Sequence, residues 1–244
     1  MKLLDAMLEE QSIWQNVYSY SDTACPHTVS FFTPDFPDHP HWNIVYPRHA
    51  LGSYHQKDLK SLLDFYDQKG CIGHIYARPE DYHAKVVSED EFFIFEKSQK
   101  KFESTLPRGL TIKETDDLQS FSKVVVDGFS LDKSSIKRFI GMMETIKASM
   151  PTTFLLAYWD QKPIGSLASF TTKGGYNYLI NGCVLTDYRQ KKIMTHLLSS
   201  MMNQVKGTAL THSNNMHLRN TLLPKLGFTS LGATYVHKIK DIVK

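Results

Sequence analysis

The residues best suited to chemistry lie between Tyr176 and Phe228. An apolar strand pattern ends at Val184-Leu185. The segment Thr186-Asp187-Tyr188-Arg189-Gln190-Lys191-Lys192-Ile193-Met194-Thr195 then leads into a helix with Ile193, Leu197, Met201 and Val205 on one face. An abrupt strand-to-helix turn can hold a pyrophosphate. Its backbone N–H groups point outward, and the helix start adds about half a positive charge. Arg189, Lys191 and Lys192 would add charge at the same spot. A solvated basic turn before an amphipathic helix is the plainer alternative.

Four other places could move protons, attack or bind a metal. His212 ends the expected strand Thr208–Thr211, and an imidazole ordinarily titrates near ~6.5, suited to a general base. An exposed loop histidine is the alternative there. Tyr178 is the polar candidate on the strand face that also carries Ile180 and Gly182. A phenol near ~10 is a poor base, so packing competes with that role. Cys183 reads as a buried thiol rather than a nucleophile, because no histidine is fixed beside it by sequence. His39-Pro40-His41 has the look of a ligand pair, but no Cys or carboxylate spacing completes a site, so no metal is expected.

The elements that must position these residues come in a regular order. Leu110–Lys113 reads as a strand. Helices follow from Asp116 or Asp117 and over Lys133–Ala148, the second ended by Pro151. Phe154–Trp159, Ile164–Phe170 and Tyr176–Leu185 are expected strands, then the Ile193 helix, strand Thr208–Thr211, helix Met216–Lys225 and strand Ala233–Lys238. Upstream, Leu3, Leu4, Met7 and Leu8 share a helical face, as do Leu59, Leu62, Leu63 and Tyr66 before Gly70. Thr28–Phe32, Asn43–Tyr46, Ile72–Ala77 and Glu91–Phe95 read as strands. Pro34, Pro37 and Pro40 make PDFPDHPHWN an ordered loop rather than a helix. The fold class expected is α/β, with helices and strands mixed around one sheet.

Composition sets the outer bounds. At 244 residues the chain holds one large domain or two small ones. With 41% hydrophobic and 22% charged residues, the composition is ordinary for a globular protein, and a disordered or fibrous chain is not expected. A net charge of +3, scattered along the chain, does not point to nucleic acid. No apolar run approaches the ~18 residues of a membrane span. Acidic residues in MKLLDAMLEEQ argue against an export signal, and three widely spaced cysteines suit reduced thiols, so the expected compartment is the cytoplasm. The polar stretch at 98–109 marks a boundary between an N-terminal α/β lobe, 1–100, and a C-terminal domain, 108–244.

The stretch from Arg108 to Lys240, a little over half the chain, resembles the GNAT family of acyl-CoA-dependent N-acyltransferases. The family's phosphate turn reads Gln/Arg-x-x-Gly-x-Gly/Ala after an apolar strand. Here Arg189 matches, while Lys192 and Met194 stand at the two small positions. Lys225-Leu226-Gly227-Phe228 fits the family's last helix, and Asn214-Asn215 match the Asn that often opens it. The resemblance implies a GNAT-like fold, with the smaller N-terminal lobe, an extension or a degenerate second copy, shaping the acceptor side. It implies acetyl-CoA as cofactor, lying between two splayed strands, Tyr176–Leu185 and Thr208–Thr211. Its pantetheine arm would pair with the backbone at Cys183, Val184 and Leu185. Its pyrophosphate would meet Arg189, Gln190, Lys191, Lys192, Ile193, Met194 and Thr195, with Asn215 nearby. A small-molecule primary amine would attack directly, with His212 or Tyr178 as base. The family's thiolate-protonating Tyr is replaced, as Leu223 stands four residues before Gly227. The rival implication is a GNAT-fold chain without catalysis, serving as a CoA sensor or partner-binding module.

Overall fold

The structure is a computed structural model that describes residues 1–52, 54–78, 80–96, 102 and 105–243. Residues 98–101 and 103–104 of the expected boundary lie outside the described residues. The chain forms two compact units. One comprises Met1–Phe93, His212–Arg219 and Ser230–Lys244; the other comprises Ile94–Thr211 and Asn220–Thr229.

In the first unit, helix α1 (Leu3–Trp14) buries Ala6, Met7, Glu10, Gln11, Ile13 and Trp14. That spacing is one face of a 3.6-residue helix, and it carries two polar residues inward. Strands β1 (Ser19–Ser21), β2 (Thr28–Phe32), β3 (Ile44–Pro47), β4 (His74–Ala77), β5 (Val86–Phe95) and β11 (Thr229–Lys238) run in the order β1-β2-β3-β4-β11-β5. β3 and β4 are parallel, and α2 (Gln56–Gln68) makes the crossover between them. Leu59, Leu62 and Tyr66 of α2 pack with Val45, Ile75, Ile239 and Ile242 in one core.

β11 lies with the first unit. It pairs antiparallel with β4, Tyr235 opposite Ala77 and Lys238 opposite His74. The closing strand therefore belongs to the first unit. A ladder between residues so far apart in sequence leaves no local trace.

The proline-rich loop is ordered by one side chain. Asn43 is fully buried; its Nδ2 donates to Phe36 O at 2.6 Å, while its Oδ1 accepts from Thr33 N at 2.7 Å. Trp42 stacks on His39 at 4.0 Å and meets Phe36 edge-on at 4.5 Å. Burial, then the charges of His41 and His74, push His39 down to about 3. Burial likewise lowers His74 to about 4. Both values lie below those of the unfolded chain, near ~6.5, so the unfolded state binds more protons between those limits. Stability contributed by these two neutral rings is complete above pH ~6.5 and is lost as pH falls towards 4 and below. Melting curves recorded from pH 8 to 4 are expected to show Tm falling below about 6.5. His39→Phe, which keeps the stack on Trp42, should flatten that slope; an unchanged slope would clear His39 of the effect.

In the second unit, β6 (Leu110–Glu114), α3 (Leu118–Gly128), α4 (Ile136–Ser149), β7 (Thr152–Trp159), β8 (Lys162–Thr171), β9 (Asn177–Val184), α5 (Ile193–Gln204) and β10 (Ala209–Ser213) follow the expected order. Asp117 caps α3 by accepting from Ser120 N at 2.9 Å. The strand order is β10-β9-β8-β7-β6. β6 to β9 are antiparallel neighbours, and β9 and β10 are parallel, joined through α5. The chain is thus a mixed α/β protein, as its pattern implied. No helix among the described residues is long and apolar enough to cross a membrane.

The expected helix Met216–Lys225 is not uniform. Leu218–Leu222 form a π-helical turn before the short α6 (Leu223–Lys225). Pro224 has no N–H for Asn220 and its ring crowds that carbonyl, so the turn ahead of it widens.

Candidate active site

The site begins where two strands of the second unit stop pairing. β9 and β10 are in register at Asn177–Ala209, Tyr178–Leu210 and Leu179–Thr211. Thr211 Oγ1 donates to Leu179 O at 2.9 Å on that last rung. From Ile180 onward, among the described residues, β9 is in register with β8 alone. There it bulges. Ser166 pairs with Cys183 and Ala168 with Ile180, so Asn181 and Gly182 together oppose Leu167. Asn181 has φ 56°, a left-handed conformation that Asn tolerates better than most residues. Ser166 Oγ donates to Asn181 O at 2.9 Å and holds the bulge. A bulge takes a backbone amide out of the ladder and re-aims it, which is how a strand can present an N–H to a carbonyl oxygen.

β9 runs on into the basic turn. Gln190 (φ 64°) and Lys192 (φ 59°) are both left-handed, with Lys191 between them. Each costs ~1–2 kcal/mol for a residue with a Cβ. Strain of this kind, held by its surroundings, marks a place where the backbone shape is used. Lys192 occupies the N-cap of α5 with no side-chain cap, so the first N–H groups of the helix have no intrahelical partner. Burial first, and then the charge of Lys192, lower the pKa of His196 one turn into α5. Lys191 Nζ stands 5.1 Å from the Trp159 ring and 5.0 Å from the Tyr188 ring. The turn is electropositive.

The individual side chains depart from their expected roles. Arg189 faces inward: its Nε donates to Val184 O at 3.1 Å and its Nη2 to Gly128 O at 3.0 Å. It staples the turn to the end of α3. Ile193 is buried and packs with Leu197 against Gly165, so only its backbone is available to a ligand. Met194 lies over the bulge, its Cε and Sδ 3.5 and 3.6 Å from where a Cβ on Gly182 would stand. Cys183 is buried. Its Sγ donates to Val124 O at 3.4 Å, and burial raises its pKa to about 11, which keeps it a thiol. Tyr178 is fully buried on a paired rung of β9, which fits packing rather than proton transfer. The Asn215 side chain is spent on a cap, accepting from Leu218 N at 3.1 Å.

In the first unit, His212 stands in a cluster that sequence reasoning did not assemble. Its Nδ1 lies 3.4 Å from Oε1 of Glu10, and its ring is 5.3 Å from Phe92 and 6.1 Å from His41. His41 Nδ1 lies 3.6 Å from Oδ2 of Asp90. Glu10 and Asp90 are both buried. The signal for Glu10 was present in the helical period, which sets it on the same face as Met7 and Trp14. His212 follows Thr211, the last residue of β10 in register with β9, by one peptide bond.

No family model matches the sequence, and no curated protein matches it either. Solved structures do match along nearly the whole chain. A GCN5-related N-acetyltransferase from Kribbella flavida superposes with a TM-score of 0.69 at 11% identity, covering 97% of this chain and 95% of that one. A GCN5-related N-acetyltransferase from Sphaerobacter thermophilus gives 0.63 at 13% identity, over 87% and 81%. A tandem GNAT protein from the clavulanic acid biosynthesis pathway gives 0.54 at 11% identity, over 97% and 93%. The chain has the GNAT fold, and the likeness extends through the N-terminal region as well as through the stretch from Arg108.

Proposed function

We propose that the chain is an acyl-CoA-dependent N-acyltransferase that moves an acetyl group to a primary amine of a small or amino-acid-like acceptor. The observation that carries this reading is the three-rung β9–β10 pairing followed by the Asn181–Gly182 bulge. An unpaired strand edge can take a pantetheine arm as an added strand, here along Cys183, Val184 and Leu185. The residues present fit the group. The left-handed Gln190 and Lys192 and the uncapped start of α5 offer N–H groups from Lys191 to Thr195 to a pyrophosphate, with the Lys191 and Lys192 charges beside them. Arg189 serves that cradle by holding its shape.

Acetyl-CoA supplies an activated thioester. The bulge amide polarises the carbonyl, in the manner of an oxyanion donor. His212 takes a proton from the acceptor ammonium, leaving a neutral amine to attack directly. Leu223 puts no acid where the family has Tyr, so the departing thiolate, with a thiol pKa of roughly 8.5 by analogy with cysteine, takes its proton from water.

One observation favours the second reading, a CoA-binding sensor without catalysis. Met194 lies against Gly182 of the bulge, at a position where the GNAT pattern has Gly or Ala. Thermal melts with acetyl-CoA, paired with thiol release over a panel of primary amines, separate the two. Binding at 100 times Kd stabilises the fold by about 2.7 kcal/mol. A raised Tm with thiol release is the expected result. A raised Tm without release selects the sensor, and an unmoved Tm at millimolar acetyl-CoA defeats both.

A further inference from the structure

We propose that Glu10 is a positioning residue that fixes the tautomer of His212. The inference rests on the acyltransferase reading above, because it gives His212 its orientation for that reaction.

The geometry is that of a carboxylate held for a purpose. Glu10 Oε1 accepts from Trp14 Nε1 at 3.2 Å, one turn further along α1, which fixes the side chain's direction. The same oxygen stands 3.4 Å from His212 Nδ1. A carboxylate facing Nδ1 favours the tautomer with the proton on that nitrogen and leaves the lone pair on Nε2. When Nε2 takes a proton from an ammonium, one N–H bond breaks on the substrate and one forms on the ring. The imidazolium then has Glu10 as its counter-charge, and the amine keeps its electron pair for attack.

The surroundings repeat the device. Asp90 Oδ1 accepts from Ser88 Oγ at 2.8 Å, which directs Oδ2 to His41 Nδ1 at 3.6 Å. The two imidazole rings are 6.1 Å apart. Several elements packed here contribute a group, and β4 brings His74, whose charge acts on His39 and His41. α1 brings Glu10 and Trp14; the loop before β3 brings His39 and His41; β5 brings Asp90 and Phe92; β3 brings Tyr46, whose hydroxyl faces Glu10. Two carboxylates buried among apolar rings are costly unless a cation can meet them. The two histidines are the groups that face them.

The test needs both a structural and a kinetic readout. In the full chain labelled with 15N-histidine and no substrate added, His212 is expected to show the Nδ1–H tautomer. In Glu10→Gln, which keeps the size and an acceptor for Trp14, that preference should be lost. Its kcat should fall by tenfold or more while the KM for acetyl-CoA stays within twofold. Glu10→Asp should recover part of both. An Nε2–H tautomer in the wild-type chain overturns the proposal, and so does a Glu10→Gln variant with tautomer and kcat unchanged. A wild-type chain that acetylates no amine tested counts against the acyltransferase reading; the tautomer measurement, needing no turnover, still decides the pairing.

Discussion

His212→Ala is expected to lower kcat for acetyl transfer by about 100-fold or more, within the range of a lost general base. The KM for acetyl-CoA should hardly move, because His212 is not one of the cradle residues from Arg189 to Thr195. The pH profile gives the sharper test. A base must be neutral to accept a proton, so the rate falls as the medium acidifies and the ring takes up a proton. Without the ring that acid limb should vanish, leaving a low and flatter profile. The buried location adds a control. His212 packs on Phe92 and faces Glu10, so alanine also leaves a buried carboxylate without its partner. Tm must therefore be measured alongside. His212→Asn or →Gln, which refill the space without a titrating group, should match alanine in rate and exceed it in Tm. Any variant lacking the imidazole that keeps the acid limb would remove His212 from the chemistry.

The parts of this site that could be read from sequence are those set by local pattern. The turn from Val184 to Thr195 announces itself because a strand period of two switches to a helix period of 3.6 across a run of cations. The second unit's element order is written the same way. The bulge had a faint signal. Asn181-Gly182 is a turn-forming pair inside an apolar strand, and an isolated glycine there suggests a bulge. The direction of Arg189 had none. A cation beside a phosphate turn reads as a ligand contact, while its use on two carbonyls depends on where α3 ends in space. Nor could the ladder that carries β11 back to β4 be read locally. The Glu10–His212 pairing joins residues some two hundred positions apart and exists only in the folded chain. Lys192 is the instructive case. A lysine stands where the resemblance has glycine, yet the backbone keeps the left-handed shape at φ 59° and bears the strain.

That strain makes Arg189 the second place where a single change should have a large effect. Gln190 and Lys192 stay left-handed only if the turn is over-determined, and Arg189 supplies two of the restraints, one to Val184 O and one to Gly128 O. Hydrogen bonds from a charged donor contribute ~1.5–3 kcal/mol each, and exposure of this turn places them at the lower end. Arg189→Ala is therefore expected to cost about 3 kcal/mol, which at ~2–4 °C per kcal/mol lowers Tm by ~6–12 °C. Released from its staple, the turn should relax from the left-handed shape, and CoA should bind about tenfold more weakly or worse. Arg189→Lys decides why. Lysine keeps the charge but has no planar fork with which to span two carbonyls. If Arg189 acts by charge on the pyrophosphate, lysine restores most of the affinity. If it acts as a staple, lysine leaves both Tm and Kd near the alanine values, and raising the salt concentration changes the deficit little. Calorimetric Kd values for CoA on the three chains, at low and high salt, separate those outcomes. A lysine variant with wild-type affinity would return Arg189 to the direct contact that its sequence position first suggested.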